Sequence, residues 1–206
     1  MVVVEGYTDV LSLFSNDIPY AVATLGIATS KNHLEKLFSH VDEVIFCFDG
    51  DEAGMKAAES AMKIALPIIR DGRILKFLFL PDSEDPSSLL EKEGKEQFEK
   101  RIDSSKVLSE YLFESILNKY DETLENKAAA AKEFLGLISS MPSSNYKIIL
   151  IQEFSKKVNI SLENEGKNLI DKKKVKITKE KQNDLELYKV TKSNIKTLID
   201  NPEMGH

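Results

Sequence analysis

Short apolar runs alternate with amphipathic segments between Met1 and Leu80, and this alternation constrains the fold most strongly. Four runs have the length and the β-branched or aromatic content of strands: Val2–Val4, Ala21–Thr24, Val44–Phe48 and Leu75–Leu80. Segments with helical spacing separate them. Strands that are apolar on both faces and alternate with helices form parallel sheets covered on both sides. The sequence therefore predicts an α/β fold with a parallel sheet flanked by helices.

The pattern changes after Pro86, where apolar residues recur every three or four positions as far as Val158. This spacing predicts helices throughout, and we expect them to form a subdomain that packs on or beside the sheet. Residues 171–182 then carry six lysines and two acids, which is typical of a solvated linker. A last amphipathic stretch, Val190–Ile199, is too short to form a stable domain by itself.

The charge balance of the chain argues against broad electrostatic capture of nucleic acid. The net charge is −6, and residues 1–100 carry 10 Lys or Arg against 18 Asp or Glu. An acidic body of this kind fits a site that holds cations. The single cysteine, Cys47, excludes an internal disulfide and a cysteine-based zinc site, so we expect a reducing, cytoplasmic setting.

Acidic residues follow three of the predicted strands, at the point where each strand ends. Their positions are Glu5 and Asp9, Asp49 and Asp51, and Asp82, Glu84 and Asp85. Ligands of open α/β sheets lie beyond the carboxyl ends of the strands. We therefore expect Glu5, Asp9, Asp49, Asp51 and Asp85 to gather at one sheet edge. Carboxylates in one crevice repel one another unless cations neutralise them, and Mg²⁺ prefers oxygen ligands. Gly50, between Asp49 and Asp51, would let backbone or phosphate approach closely.

Each acidic pair also has an ordinary structural explanation. Glu5 and Asp9 suit a strand terminus and a partner for the dipole of a first helical turn. Asp51 suits a helix N-cap, and Asp85 followed by Pro86 is a common turn and helix start. A lone Asp-Gly-Asp is a weak signal, so the prediction of a metal site depends on the clusters occurring together.

Four segments resemble, in order and spacing, the catalytic core of bacterial primases. They are EGYTD (Glu5–Asp9), YAVATLG (Tyr20–Gly26), FCFDGDEAG (Phe46–Gly54) and FLPDSEDPSSLLEKEGKEQF (Phe79–Phe98). The glutamate after the first strand and the later D-x-D resemble the Toprim motif, which topoisomerases and some nucleases share. The EGY start and the Phe79–Phe98 block point to primase among these classes.

The resemblance implies a Toprim catalytic domain at residues 1–103 and a helical subdomain of the polymerase core at residues 104–170. It also implies a lysine-rich linker at residues 171–186 and the start of a truncated helicase-binding region at residues 187–206. The implied activity is template-directed synthesis of RNA primers by metal-dependent nucleotidyl transfer. The implied partners are ribonucleoside triphosphates, a single-stranded DNA template, the replicative helicase and the single-stranded-DNA-binding protein, in the bacterial cytoplasm near the nucleoid.

The implied site has Glu5, Asp49 and Asp51 as catalytic residues, and these three with Asp9 and Asp85 as ligands of Mg²⁺, for which Mn²⁺ can substitute. We predict phosphate contacts for the backbone at two glycines and for two lysines near the edge. The alternative for the lysines is that they are ordinary solvated surface residues. These residues are Gly6, Gly50, Lys56 and Lys76.

Several features depart from a complete primase. The family often has an aspartate where this chain has Ser87, which removes one candidate ligand. We expect a fragment without the zinc ribbon and the basic subdomain, with no zinc and with weak activity by itself. Two other functions stay open, namely a Toprim nuclease using the same carboxylates and a non-catalytic docking fragment.

Overall fold

The computed structural model describes residues 1–24 and 29–162 of the chain. Its strands are β1 (Val2–Val4), β2 (Ala21–Ala23), β3 (Glu43–Gly50), β4 (Ile74–Asp82) and β5 (Lys106–Val107). Its helices are α1 (Tyr7–Ser15), α2 (Lys31–Leu37), α3 (Glu52–Ala65), α4 (Pro86–Glu93), α5 (Lys95–Asp103), α6 (Leu108–Leu117), α7 (Leu124–Ile138) and α8 (Asn145–Val158). The predicted linker and the predicted helicase-binding start lie outside the described residues.

The described strands form one sheet in the order β2-β1-β3-β4-β5. Strands β1 to β4 run parallel, as the sequence predicts. The prediction of helices throughout after Pro86 is wrong at β5, which pairs antiparallel with β4 through Val107 and Lys106. A strand of two residues is too short to produce a period-two pattern, so its pairing depends on contact with β4.

Both faces of the sheet are covered, which explains why the strands are apolar on both sides. Phe46 and Phe77 face the core shared with α3 and with helices α6 to α8. Ile45 and Leu78 face a second core under α1, α4 and α5. The sheet and helices α6 to α8 therefore share one hydrophobic core, and residues up to Leu162 form one compact unit. The boundary between residues 103 and 104 stays a prediction.

Aromatic packing joins the sheet to α6 and joins α7 to α8. The ring centroids of Phe77 and Tyr111 lie 4.6 Å apart, and those of Phe134 and Phe154 lie 4.0 Å apart. Such contacts add to the free energy of area burial. None of the helices in the part of the chain that the structure describes is long and apolar enough to cross a membrane.

A carboxylate from the segment before β4 caps the first turn of α8. Asp71 accepts hydrogen bonds from the backbone N–H groups of Tyr146 (2.7 Å) and Asn145 (3.2 Å), and from the Asn145 side chain (3.1 Å). These bonds satisfy donors that the first turn of a helix leaves unpaired. Asp71 thus ties the sheet region to the last described helix.

Replacing Asp71 with alanine should therefore lower the free energy of unfolding by about 1–2 kcal/mol, because the cap is charge-assisted. Urea unfolding followed by circular dichroism measures this change. Glu91→Ala is the matched control, since it removes a carboxylate from an exposed position of α4. Equal stability of the two variants would contradict the capping role.

Candidate metal centre

The sheet order brings the predicted acidic residues to one edge. Glu5 directly follows β1, Asp49 is the penultimate residue of β3, and Gly50 is in register with Asp82 at the end of β4. Strand β1 lies between β2 and β3. The chain crosses from β1 outward to β2 and then back to β3, so Glu5 and Asp49 border the point where the strand order reverses. Ligands of open α/β sheets bind at this point.

Asp49 is the carboxylate most affected by its surroundings. Burial raises its pKa, and the negative charges of four other acids raise it further, to about 6. Those acids are, in decreasing order of effect, Glu5, Asp9, Asp85 and Asp51. All the carboxylates predicted for the site therefore act on one half-buried group. This electrostatic repulsion is what a bound cation would relieve.

Asp9 lies beside the site in the first turn of α1. Its Oδ2 accepts the backbone N–H of Gly6 at 3.1 Å, and its Oδ1 accepts the Ser87 hydroxyl at 3.4 Å. Burial raises the pKa of Asp9, and the charge of Asp85 acts in the same direction. The bond from Gly6 opposes them. Ser87 occupies the position at which the resemblance to primases leads one to expect an aspartate. It supports Asp9 by donating a hydrogen bond to it.

Asp51 and Asp85 both act as helix N-caps, so the structural alternative predicted for them is correct. Asp51 Oδ1 accepts the N–H of Gly54 at 2.7 Å at the start of α3. Asp85 Oδ1 accepts the N–H of Ser88 at 2.7 Å at the start of α4, and Ser88 Oγ accepts the Asp85 N–H at 3.0 Å. A carboxylate has two oxygens, and each cap uses one of them. Capping and cation binding are therefore compatible.

Two substitutions should separate the capping role of Asp51 from its charge. Asparagine caps helices about as well as aspartate does, whereas alanine costs about 1 kcal/mol. We expect Asp51→Asn to keep the stability of the metal-free chain and Asp51→Ala to lower it. Thermal and urea unfolding in EDTA measure both. Similar losses for the two variants would mean that the charge of Asp51, and not its hydrogen bond to Gly54, stabilises α3.

Glycines make the close packing around Asp49 possible. A Cβ added at Gly50 would lie 1.9 Å from the Pro81 carbonyl oxygen, so the backbone of β4 approaches Gly50 too closely to admit a side chain. A Cβ at Gly54 would lie 2.3 Å from the Asp49 carbonyl oxygen. Gly54 is a residue that sequence reasoning missed. The sequence offered one indication of its role. Glycine is unfavourable in the first turn of an alanine-rich helix unless close packing requires it.

The two lysines predicted as phosphate contacts each form an ion pair with a glutamate. Lys56 is exposed on α3 and pairs with Glu52 at 2.6 Å. Lys76 pairs with Glu43 at 2.9 Å near the start of β3 and β4, the end of the sheet opposite to Asp49. The structure does not bring Lys76 to the acidic edge. Among the described residues, the ion pairs involve none of Glu5, Asp9, Asp49, Asp51 and Asp85.

The donor set fits a hard divalent cation only in part. Within residues 1–24 and 29–162, no three His, Cys, Asp or Glu side chains are grouped closely enough to hold a metal ion between them. Mg²⁺, however, usually keeps several waters and takes one or two protein carboxylates together with substrate phosphates. The geometry therefore fits Mg²⁺ bound by one or two carboxylates at Asp49, and it does not fit an all-protein cage.

Two family models match the chain. The model described as Toprim-like matches residues 2–90, which include every acid of the edge. The model described as the DnaB-helicase binding domain of primase matches residues 109–163, which correspond to helices α6 to α8. This second match falls in the predicted helical subdomain and not in residues 187–206.

Curated relatives and a solved structure agree with these models. The chain is 43% identical over 173 residues to the DNA primase of Escherichia coli K12, covering 84% of this chain and 30% of that protein. It is 44% identical over 168 residues to the DNA primase of Pseudomonas aeruginosa, covering 81% of this chain and 25% of that protein. A DnaG primase catalytic domain bound to single-stranded DNA superposes with a TM-score of 0.72 at 45% identity, covering 76% of this chain and 51% of that one.

The chain thus spans 30% or less of the length of these two relatives and about half of the solved catalytic domain. The Toprim-like match covers strands β1 to β4, and the second match, which follows it in the chain, covers helices α6 to α8. This chain belongs to the bacterial DnaG-type primase family.

Proposed function

We propose that the chain supplies the metal-binding half of a primase active site, which makes RNA primers on a DNA template by nucleotidyl transfer. The observation that carries this proposal is the action of Glu5, Asp9, Asp85 and Asp51 on the single half-buried carboxylate of Asp49. Primases of this family use divalent metal ions. Mg²⁺ is the ion we propose here, with Mn²⁺ as its substitute.

The reaction joins the 3′-hydroxyl of one nucleotide to the α-phosphate of a ribonucleoside triphosphate and releases pyrophosphate. A bound divalent ion would stabilise the negative charge that develops on the phosphate oxygens. Asp49 and Glu5, at the ends of the adjacent strands β3 and β1, are the groups that would hold it, with the second oxygens of Asp51 and Asp85 beside them. Asp9 would orient this set through Gly6 and Ser87.

Glu5 has an alternative role to metal binding, as the group that takes up a proton in the reaction. It is exposed beyond β1, so it can reach a hydroxyl group of a bound nucleotide. Removing the proton from the attacking 3′-hydroxyl would make that oxygen a better nucleophile. Asp49 is less suited to this role, because its position within the acidic group favours cation binding.

We further propose that single-stranded DNA and ribonucleoside triphosphates bind at this edge. The helicase contact would involve residues 109–163, which match the helicase-binding model. Contact with the single-stranded-DNA-binding protein and a cytoplasmic location near the nucleoid belong to the same proposal.

The test compares the isolated chain with a graft in which the part of this chain that matches E. coli primase replaces the corresponding segment of that protein. We expect the isolated chain to bind Mn²⁺, measured by electron paramagnetic resonance, and to make primers poorly. The graft should make primers on single-stranded DNA with labelled ribonucleotides. DNA cleavage by the graft without primer synthesis would support the nuclease alternative and overturn the proposal.

A further inference from the structure

Both carboxylate oxygens of Glu84 accept hydrogen bonds from helix α4. Oε2 accepts the Ser88 hydroxyl at 2.7 Å, and Oε1 accepts the ammonium group of Lys92, with which Glu84 also forms an ion pair. Glu84 precedes α4, so its side chain contacts both the first and the last turn of that helix. The Glu84 side chain is only 15% exposed. We call Glu84, Ser88 and Lys92 the α4 clamp.

The backbone of the same loop contacts the end of β3 beside Asp49. The Glu84 carbonyl accepts the Gly50 N–H, and the Gly50 carbonyl accepts the Ser83 N–H, both at 3.4 Å. Bonds of this length are weak, since most N–H···O bonds measure about 2.9–3.0 Å. Ser83 has a φ of 64°, a left-handed conformation that costs energy for a residue other than glycine and persists only where the surroundings hold it. The loop therefore needs a further restraint, which the α4 clamp supplies.

The α4 clamp acts directly on Asp85. Ser88 Oγ accepts the Asp85 N–H at 3.0 Å, while the Ser88 N–H donates to Asp85 Oδ1. The Ser88 hydroxyl has a single proton, and the charged oxygen of Glu84 at 2.7 Å is nearer than the Asp85 carbonyl at 3.1 Å. Donation to Glu84 turns a lone pair of Ser88 Oγ toward the Asp85 N–H. Glu84 thus orients the hydroxyl that fixes Asp85 at the start of α4.

We infer that Glu84 is a positioning residue of the metal centre. Through its pair with Lys92 and its bond to Ser88, it holds the loop between β4 and α4 so that Asp85 stays aligned with Asp49. Glu84 does not bind the cation itself, because both of its oxygens are occupied. This inference rests on the proposed function, since it concerns the same metal centre.

Three other roles for Glu84 predict different results. A direct metal ligand would bind the cation better once Lys92 no longer competes for it. A group that acts only through its charge would have an effect opposite to that of Lys92, because a negative charge attracts a cation and a positive charge repels it. An ion pair that only stabilises the fold would leave cation affinity unchanged.

Four variants of the isolated chain separate these roles, with Mn²⁺ affinity measured by electron paramagnetic resonance. Glu84→Gln and Lys92→Met break the ion pair of the α4 clamp, and Lys92→Arg keeps it. Glu93→Gln is the matched control. It removes the same charge from the other end of α4, where Glu93 pairs with Arg101 of α5 at 2.6 Å.

We expect Glu84→Gln and Lys92→Met each to lower Mn²⁺ affinity about tenfold or more, as the loss of groups that orient metal ligands does. Lys92→Arg and Glu93→Gln should stay close to wild type. The direction for Lys92→Met is decisive, because loss of a positive charge would by itself raise cation affinity. Unchanged or higher affinity in Lys92→Met would overturn the inference. Equal losses in Glu93→Gln and Glu84→Gln would also overturn it, in favour of charge alone.

A second measurement needs no metal. Backbone ¹⁵N relaxation in EDTA gives the order parameters of Ser83, Glu84 and Asp85. They should be about 0.85 in the wild-type chain and in Glu93→Gln, and below about 0.6 in Glu84→Gln and Lys92→Met. A loop that stays equally ordered in all four proteins would contradict the positioning role.

The two measurements distinguish failure of the proposed function from failure of this inference. A wild-type chain that binds no Mn²⁺, or a graft that makes no primers, contradicts the function, and the order parameters then decide the inference. A graft that makes primers while Lys92→Met changes neither Mn²⁺ affinity nor loop order contradicts the inference alone.

Discussion

Asp49→Asn should abolish metal binding at the acidic edge while making the metal-free chain more stable. Asp49 is the half-buried carboxylate on which four other acids act, so its negative charge is unfavourable without a cation. Its loss should raise the free energy of unfolding in EDTA by roughly 1–2 kcal/mol, allowing for solvent screening of a half-exposed group. Mn²⁺ affinity should fall by at least about 100-fold, because a direct ligand is lost. In the primase graft, primer synthesis should fall in parallel.

Thermal unfolding with and without Mn²⁺ measures both effects on the same sample. Wild-type chain should show a metal-dependent rise in melting temperature that Asp49→Asn lacks. Glu43→Gln is the control, because Glu43 pairs with Lys76 at the opposite end of the sheet. It should leave the metal-dependent rise intact. A metal-dependent rise that survives in Asp49→Asn would remove Asp49 from the proposed ligands.

The pH dependence follows from the raised pKa of Asp49. Its pKa rises from 3.8 to about 6 on folding, so the folded chain binds more protons than the unfolded chain between these values. The contribution of Asp49 to metal-free stability therefore falls as pH rises from 3.8 to 6 and stays unfavourable above pH 6. Metal binding has the opposite dependence, because a ligand must be deprotonated. Mn²⁺ affinity should thus weaken as pH drops below 6.

Gly50→Ala should have the largest effect on folding. The added Cβ would lie 1.9 Å from the Pro81 carbonyl oxygen and 2.6 Å from that of Leu80, and neither backbone group can rotate away as a side chain can. Strands β3 and β4 must therefore separate next to Asp49 and Asp51. We expect a loss of about 3 kcal/mol or more in the free energy of unfolding, as for other overpacked sites.

Urea unfolding measures this loss, and Gly136→Ala is its control. Gly136 lies within α7, and an added Cβ there meets no atom within 4 Å. The control should stabilise the chain by about 0.5–1 kcal/mol, because alanine is the better helix former. Wild-type stability in Gly50→Ala would mean that β3 and β4 are farther apart at Pro81 than described.

Sequence reasoning and structure agree on the parallel strands and on the common edge of the acids. Val2–Val4 and Val44–Phe48 are continuous apolar runs, and such runs need cover on both faces. Once they are parallel strands, the residues that follow them must lie at one end of the sheet. The sequence did not predict strand β5, because two residues are too few to show the alternation of a strand.

The sequence by itself determined the α/β class, the parallel strands and the set of acids at the carboxyl edge, because these depend on local periodicity. Tertiary structure decided which acid is most perturbed, since burial and charge at Asp49 depend on residues as distant in sequence as Glu5 and Asp85. It also decided that Gly50 accommodates the Pro81 carbonyl and that Lys76 lies far from the edge. Packing on the sheet also decided which side of α1 is buried: Leu13 lies in the core, whereas Leu11 and Phe14 are exposed. The helical spacing alone does not say which apolar residues a neighbouring surface will cover.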